Sequence, residues 1–281
     1  MLHEIRPDTG GPVDSAPTNA AGRYRLTLAR RDTAATYFVV TTYQDVEYFS
    51  EALGVRGAAR VDASPLLVYD TTTAGPPMRI ERRLVTLFQA RGRDGRAVID
   101  VVEVSNPGTR TRVAPDSLRP VWTLRLPAGA RGWALDAGNL VPEAIRVRGD
   151  TVKVFAPIWP GAPLRMSQRY ALSGSTVRVP LDQWTGELGL LVEDTTAAIA
   201  GPLVQSLGVQ EFEGHRFAAY RGGAIEAGAE VRVAFGPGRL KAEDLLPYAV
   251  AALALALGSG LWIALRRKPS SSPKAPVRGG V

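Results

Sequence analysis

The chain has no cysteine among its 281 residues, which excludes disulfides, thiolate metal sites and cysteine nucleophiles. Histidine is almost as scarce. Only His3 and His215 are present, whereas hydrolytic triads need a base beside the nucleophile, most often a histidine. His3 is read as part of a truncated sheet edge and His215 as a strand-end histidine, both structural rather than catalytic. No His-x-Glu, His-Glu-x-x-His or multi-histidine cluster offers a metal site, and no glycine-rich loop runs into Lys-Ser or Lys-Thr to cradle a phosphate. No cofactor is therefore implied, and the chain is expected not to be an enzyme. Two carboxylate pairs remain. Asp100 and Glu103 stand three apart in "VIDVVEV" on a predicted strand, so they face opposite sides of the sheet and cannot work as an acid/base pair. Glu193 and Asp194 in "LLVEDTT" could help hold Ca²⁺ through loop oxygens, although adjacent acids at a strand end are more often simply solvated.

Charge is missing altogether from one stretch. Leu245 to Leu265 is an uncharged run of 21 residues, and as a helix it extends ~31 Å, enough for a hydrocarbon core of roughly 30 Å. Tyr248 and Trp262 sit near its two ends, where amphipathic rings favour the membrane interfaces, and Pro247 falls in the first turn, where it costs no hydrogen bond. Arg266, Arg267 and Lys268 close the run. Residues 266–281 hold five basic residues and no acid, so of the net charge of +7 only +2 is left to the first 265 residues. The basic excess belongs to a Pro-, Ser- and Gly-rich tail and is no nucleic-acid footprint. Basic residues beside a spanning helix mark the cytoplasmic side, which places the tail, read as disordered, inside and the preceding domains outside the cell membrane. The beginning "MLHEIRPDTGGPVDSAPTN" shows no signal peptide. Two expectations compete: a start upstream of Met1 with an export signal, or a tail anchor with the bulk in the cytoplasm. The charge bias favours the first.

Helix signals are sparse before residue 240, where only "DVEYFSEALGV" and "TTAAIAGPLVQSLG" could hold a turn or two. The texture is β instead. "RYRLTL", "LRMSQRY" and "AEVRVAFG" alternate apolar and polar residues, as half-buried strands do, and turn signals such as "SNPGTR", "LPAGARG" and "YRGGA" recur along the chain. This predicts an all-β chain of two tandem β-sandwich domains followed by one C-terminal transmembrane helix. The bounds are 1–70 for the first sandwich, 71–77 ("TTTAGPP") for a linker, 78–238 for the second, 245–265 for the helix and 266–281 for the tail.

"PTNAAGRYRLTL" resembles the hallmark of carboxypeptidase regulatory-like domains, small transthyretin-like sandwiches with a Thr-Asp-x-x-Gly-x-aromatic turn. Thr18, Gly22, Tyr24 and Leu26 match, and Asn19 replaces the usual Asp with the same turn chemistry. The resemblance covers about residues 1–70. It implies that a strand and a further turn should precede "MLHEI", so that a sheet edge would stand open without them. Residues 78–238 look like the later, Ig-like part of secreted bacterial proteins that begin with such a domain, and the roles implied are adhesion, scaffolding or assembly.

Aromatic residues are few, and four of the five tryptophans, Trp122, Trp133, Trp159 and Trp184, fall in the second domain. Trp122 is read as core. Trp159, Trp184 and Tyr220 are candidate partner contacts, because rings beside turns can anchor a protein or a sugar. The first expectation is thus a non-enzymatic, envelope-facing structural or interaction protein, of which an accessory or scaffolding subunit of a membrane complex is one form. Small residues along the helix (Ala251, Ala252, Ala254, Ala256, Gly258, Gly260) would let another membrane subunit approach. The alternative is a carbohydrate- or peptide-binding module that stacks its ligand on the three rings. A hydrolase would need two carboxyl groups ~5 to 9.5 Å apart in a cleft.

Overall fold

The computed structural model describes residues 1–236 apart from 31, 56–59, 92–94, 203 and 213. The run 245–265 with Tyr248 and Trp262, and the tail with Arg266, Arg267 and Lys268, lie outside the described residues. Among those described, no helix is long and apolar enough to cross a membrane. The described chain is all-β, and a single 3-10 turn at Pro142–Ala144 is its one helical element. "DVEYFSEALGV" and "TTAAIAGPLVQSLG" contain strand at residues 46–49, 198–200 and 204–208 and no helical turn among their described residues: their Val, Tyr, Phe and Ile residues pair into sheets, and this tertiary pairing overrides weak local propensity.

The first strands, β1 (Leu2–Ile5), β2 (Gly10–Asp14), β3 (Thr36–Tyr43) and β4 (Val46–Phe49), form a four-stranded sheet in the order β2-β1-β3-β4. β1 is flanked on both sides, by β2 and β3, so His3 and its neighbours occupy the sheet interior and not the open edge expected from "MLHEI". "RYRLTL" is also corrected. It forms no strand, yet Tyr24, Leu26 and Leu28 pack on Leu2, Tyr37 and Val39, so the alternation marks a covering segment without ladder hydrogen bonds. Asn19 shapes the turn before it. Its Oδ1 accepts from the Ala21 and Arg23 amides at 3.0 and 2.9 Å, and Gly22 takes the left-handed conformation at φ +70°.

β5 (Thr71–Thr72), inside the stretch read as a linker, pairs in parallel with β8 (Thr111–Arg112). The larger sandwich then follows. β6 (Arg79–Leu87), β7 (Arg96–Ser105), β10 (Arg131–Gly138), β13 (Leu164–Leu172), β15 (Thr185–Val192), β17 (Val204–Phe212) and β18 (His215–Gly222) form a seven-stranded sheet in the order β10-β13-β7-β6-β15-β18-β17. Two three-stranded sheets complete the core: β11 (Ile145–Arg148), β12 (Thr151–Val154) and β9 (Trp122–Arg125) in one, β14 (Thr176–Leu181), β19 (Ala229–Ala234) and β16 (Ala198–Ala200) in the other. Val98, Val102, Val104, Met166, Leu188 and Leu190 from the large sheet pack with Trp122, Leu124, Val152, Val179 and Val233 in one buried cluster. Burying such side chains is worth about 1.5–3 kcal/mol each.

Candidate interaction surface

Alternation along β6, β7 and β15 sends one set of side chains into this core and the other outward, and the strand register fixes which outward residues become neighbours. At one end of the outer face, Arg165, Glu103, Arg82 and Glu187 stand in register across four strands, and Arg221, opposite Gly189 on a fifth, reaches diagonally to Glu187. Each glutamate lies between two arginines: Glu103 is 3.0 Å from Arg165 and 3.9 Å from Arg82, and Glu187 is 4.0 Å from Arg82 and 3.0 Å from Arg221. Exposed pairs of this kind contribute about 0–1 kcal/mol apiece, so the ladder orders the surface more than it stabilises the fold. The next two rows are apolar at their centre and polar on the flank toward β13, where Ser167 stands opposite Val101 and Arg169 opposite Ile99. Val101 stands opposite Leu84, and Ile99 opposite Thr86, which in turn lies beside Leu191. Leu84, Ile99 and Val101 remain 39%, 36% and 38% exposed. Beyond them Phe217 meets Phe88 edge-on at 5.8 Å and Phe212 at 6.3 Å. The outer face is therefore an apolar band between a charge ladder and an aromatic patch, and Phe212, at 50% exposure, joins that patch to the sheet edge.

The inner face holds a polar group that sequence patterning gave no reason to bury. Arg83 and Asp100 are both fully buried, joined through Nε–Oδ1 at 3.1 Å and Nη2–Oδ2 at 2.9 Å. Arg83 Nη1 donates at 2.8 Å to the Pro180 carbonyl in β14, which ties the facing layer to the large sheet. Tyr170 and Gln168 donate to the same carboxylate at 3.2 and 3.4 Å, and Trp133 donates to Gln168 at 2.6 Å. Burial pushes the Tyr170 phenol well above the ordinary tyrosine value, and Asp100 adds to the effect. Burial also lowers the Arg83 guanidinium, but Asp100 outweighs it and holds that group above its usual range. Glu103 points to the opposite face, in the charge ladder.

The remaining candidates are scattered. Glu193 accepts from the Gln89 amide at 2.6 Å and lies 2.9 Å from the His215 ring; burial raises its carboxyl, but these hydrogen bonds prevail and hold it below the usual range. Asp194 accepts from the Thr196 amide and hydroxyl. Both carboxylates are thus directed at protein donors, and among the described residues no three His, Asp or Glu side chains gather as metal ligands would. Trp159 is half-buried against Tyr48 at 5.7 Å, and Tyr48 also bonds to Thr111 and the Tyr69 carbonyl, so this ring belongs to the junction between the first sheet and the sandwich. Trp184 lies under the Arg79 guanidinium, 5.2 Å from its ring centroid. Tyr220 packs into the core. Each of the three rings is engaged by different neighbours.

No family model matches the chain, and no curated protein does. Among solved structures, the chain has a weak likeness to the crystal structure of an M1 zinc metallopeptidase from Deinococcus radiodurans. The likeness has a TM-score of 0.36 at 10% identity, and covers 56% of this chain and 42% of that one.

Proposed function

We propose that this is a non-enzymatic, membrane-anchored interaction protein that faces the cell envelope. In this reading residues 1–70 form a carboxypeptidase regulatory-like domain, 78–238 an Ig-like sandwich, and 245–265 the spanning helix, with the basic tail in the cytoplasm. The observation that carries the reading is the outer face of the seven-stranded sheet. Leu84, Ile99 and Val101 form an exposed apolar band, and the ladder beside it holds three arginines to two glutamates. Such a surface suits a protein partner with an apolar strip and an acidic border, where burial supplies affinity and the charges set orientation.

A photo-crosslinking residue placed at Ile99 or Val101 of the full chain in its native membrane should capture one partner protein. The same residue at Leu118, which is 79% exposed on a loop, should not. Equal capture at Leu118 and on the sheet face would contradict the assignment.

A further inference from the structure

Most sheet edges of the described chain carry features that discourage a new strand from pairing. β2 contains Pro12, and β14 contains Arg178 and Pro180. β10 is interrupted by two register shifts. β4, β9 and β11 have four residues each, and β16 has three. β17 carries one register shift, between Ser206 and Gly208, but its residues 208–212 are regularly paired, and it differs from these edges in length and composition. It is nine residues long, "VQSLGVQEF", with no proline, lysine or arginine. It bonds to β18 on one side, and among the described residues no other backbone group meets it. Leu207, Val209 and Phe212 on this edge are 50%, 49% and 50% exposed.

We infer that β17 pairs antiparallel with β17 of a second copy of this chain, joining two seven-stranded sheets into one across a two-fold axis. The strand's own residues select that occupant. A register shift between Ser206 and Gly208 changes which side chains face outward, so only a pairing within Gly208–Phe212 keeps every residue on its own face. Centred on Gln210, that pairing sets Phe212 of each copy over Gly208 of the other. Gly208 has open space where a side chain would lie, and an aromatic ring opposite an edge glycine is a favourable cross-strand pair. The same register sets Val209 against the aliphatic stem of Glu211. It also sets the two Glu211 carboxylates diagonally and not directly opposite, which lessens the like-charge repulsion of a self-pairing.

The absence of native cysteine gives a clean test in the full chain, solubilised from membranes. The pairing brings the two Gln210 Cα atoms to about 4.5–5.5 Å, within disulfide range. It leaves the two Gln205 positions roughly 34 Å apart. Light scattering should give the mass of two copies for the wild type. Oxidised Gln210→Cys should run as a covalent dimer and Gln205→Cys as a monomer. Val209→Lys, at an exposed position, should reduce the mass to one copy. A wild-type mass of one copy would overturn the inference. So would equal cross-linking at Gln205 and Gln210, or a Val209→Lys protein that remains a dimer.

Discussion

At the residue scale the strongest constraint is the Arg83–Asp100 pair. Two fully desolvated charges tolerate the interior because every guanidinium nitrogen of Arg83 donates and both Asp100 oxygens accept, and removal of one partner leaves the other uncompensated. Arg83→Met should therefore destabilise the fold by about 3–5 kcal/mol, whereas Arg83→Met with Asp100→Leu should recover much of the loss. Urea unfolding followed by tryptophan fluorescence measures both. Tyr170 gives the pH dependence. Its folded value is raised above the ordinary value of about 10, so its contribution to stability is fully present below pH ~10 and is lost as the pH rises from there toward the folded value. Tyr170→Phe should flatten that alkaline decline; an unchanged decline would assign it to other groups. Pattern reading placed Asp100 and Glu103 on opposite faces, as they are, but it could not show that the Asp100 face is the interior. That depends on Arg83. A register shift between Ile80 and Arg82 turns Arg83, Val85 and Leu87 to the same side as Ile80, and such a bulge leaves no mark in a hydrophobic pattern.

At the scale of elements, two glycines separate conformational from steric cost. Gly22 has φ +70° with nothing within 4 Å of an added Cβ, while Gly138 at φ +148° would bring a Cβ within 2.3 Å of the Arg165 carbonyl oxygen. Gly22→Ala should cost about 1–2 kcal/mol, the left-handed penalty alone. Gly138→Ala should cost more, since β10 must also move away from β13. Comparable melting temperatures for the two variants would contradict this assignment. Strand identity was largely legible in the sequence: "LRMSQRY" buries Leu164, Met166 and Tyr170 with its arginines outward, as alternation requires. Pairing was not. "RYRLTL" has the same alternation and forms no strand, because covering a core requires apolar side chains on one side but no ladder partner. The outer-face ladder was equally hidden, since Arg82, Glu103, Arg165, Glu187 and Arg221 are scattered in the chain and only cross-strand pairing brings them together.

At the scale of the whole molecule, the chain carries both a sandwich with an exposed apolar band on its outer face and an apolar run that ends in three basic residues. A chain ending at Asp244 should leave the membrane fraction on carbonate washing; its retention would show that another surface holds it there. Orientation is checked with single cysteines. One at Ser272 should resist a membrane-impermeant thiol reagent in intact cells, and one at the exposed Leu118 should react once the outer layers are permeabilised. The reverse labelling would overturn the envelope-facing topology.

The most direct measurement is co-purification of the full chain from detergent-solubilised membranes, comparing the wild type with a Leu84→Glu, Val101→Lys double variant, whose opposite charges face each other across the two strands. Both positions are exposed, so the charges should leave the fold intact while destroying the apolar band. The account predicts a stoichiometric partner protein with the wild type and its loss with the variant. A wild type that purifies without a partner, or a partner that stays bound to the variant, would contradict it.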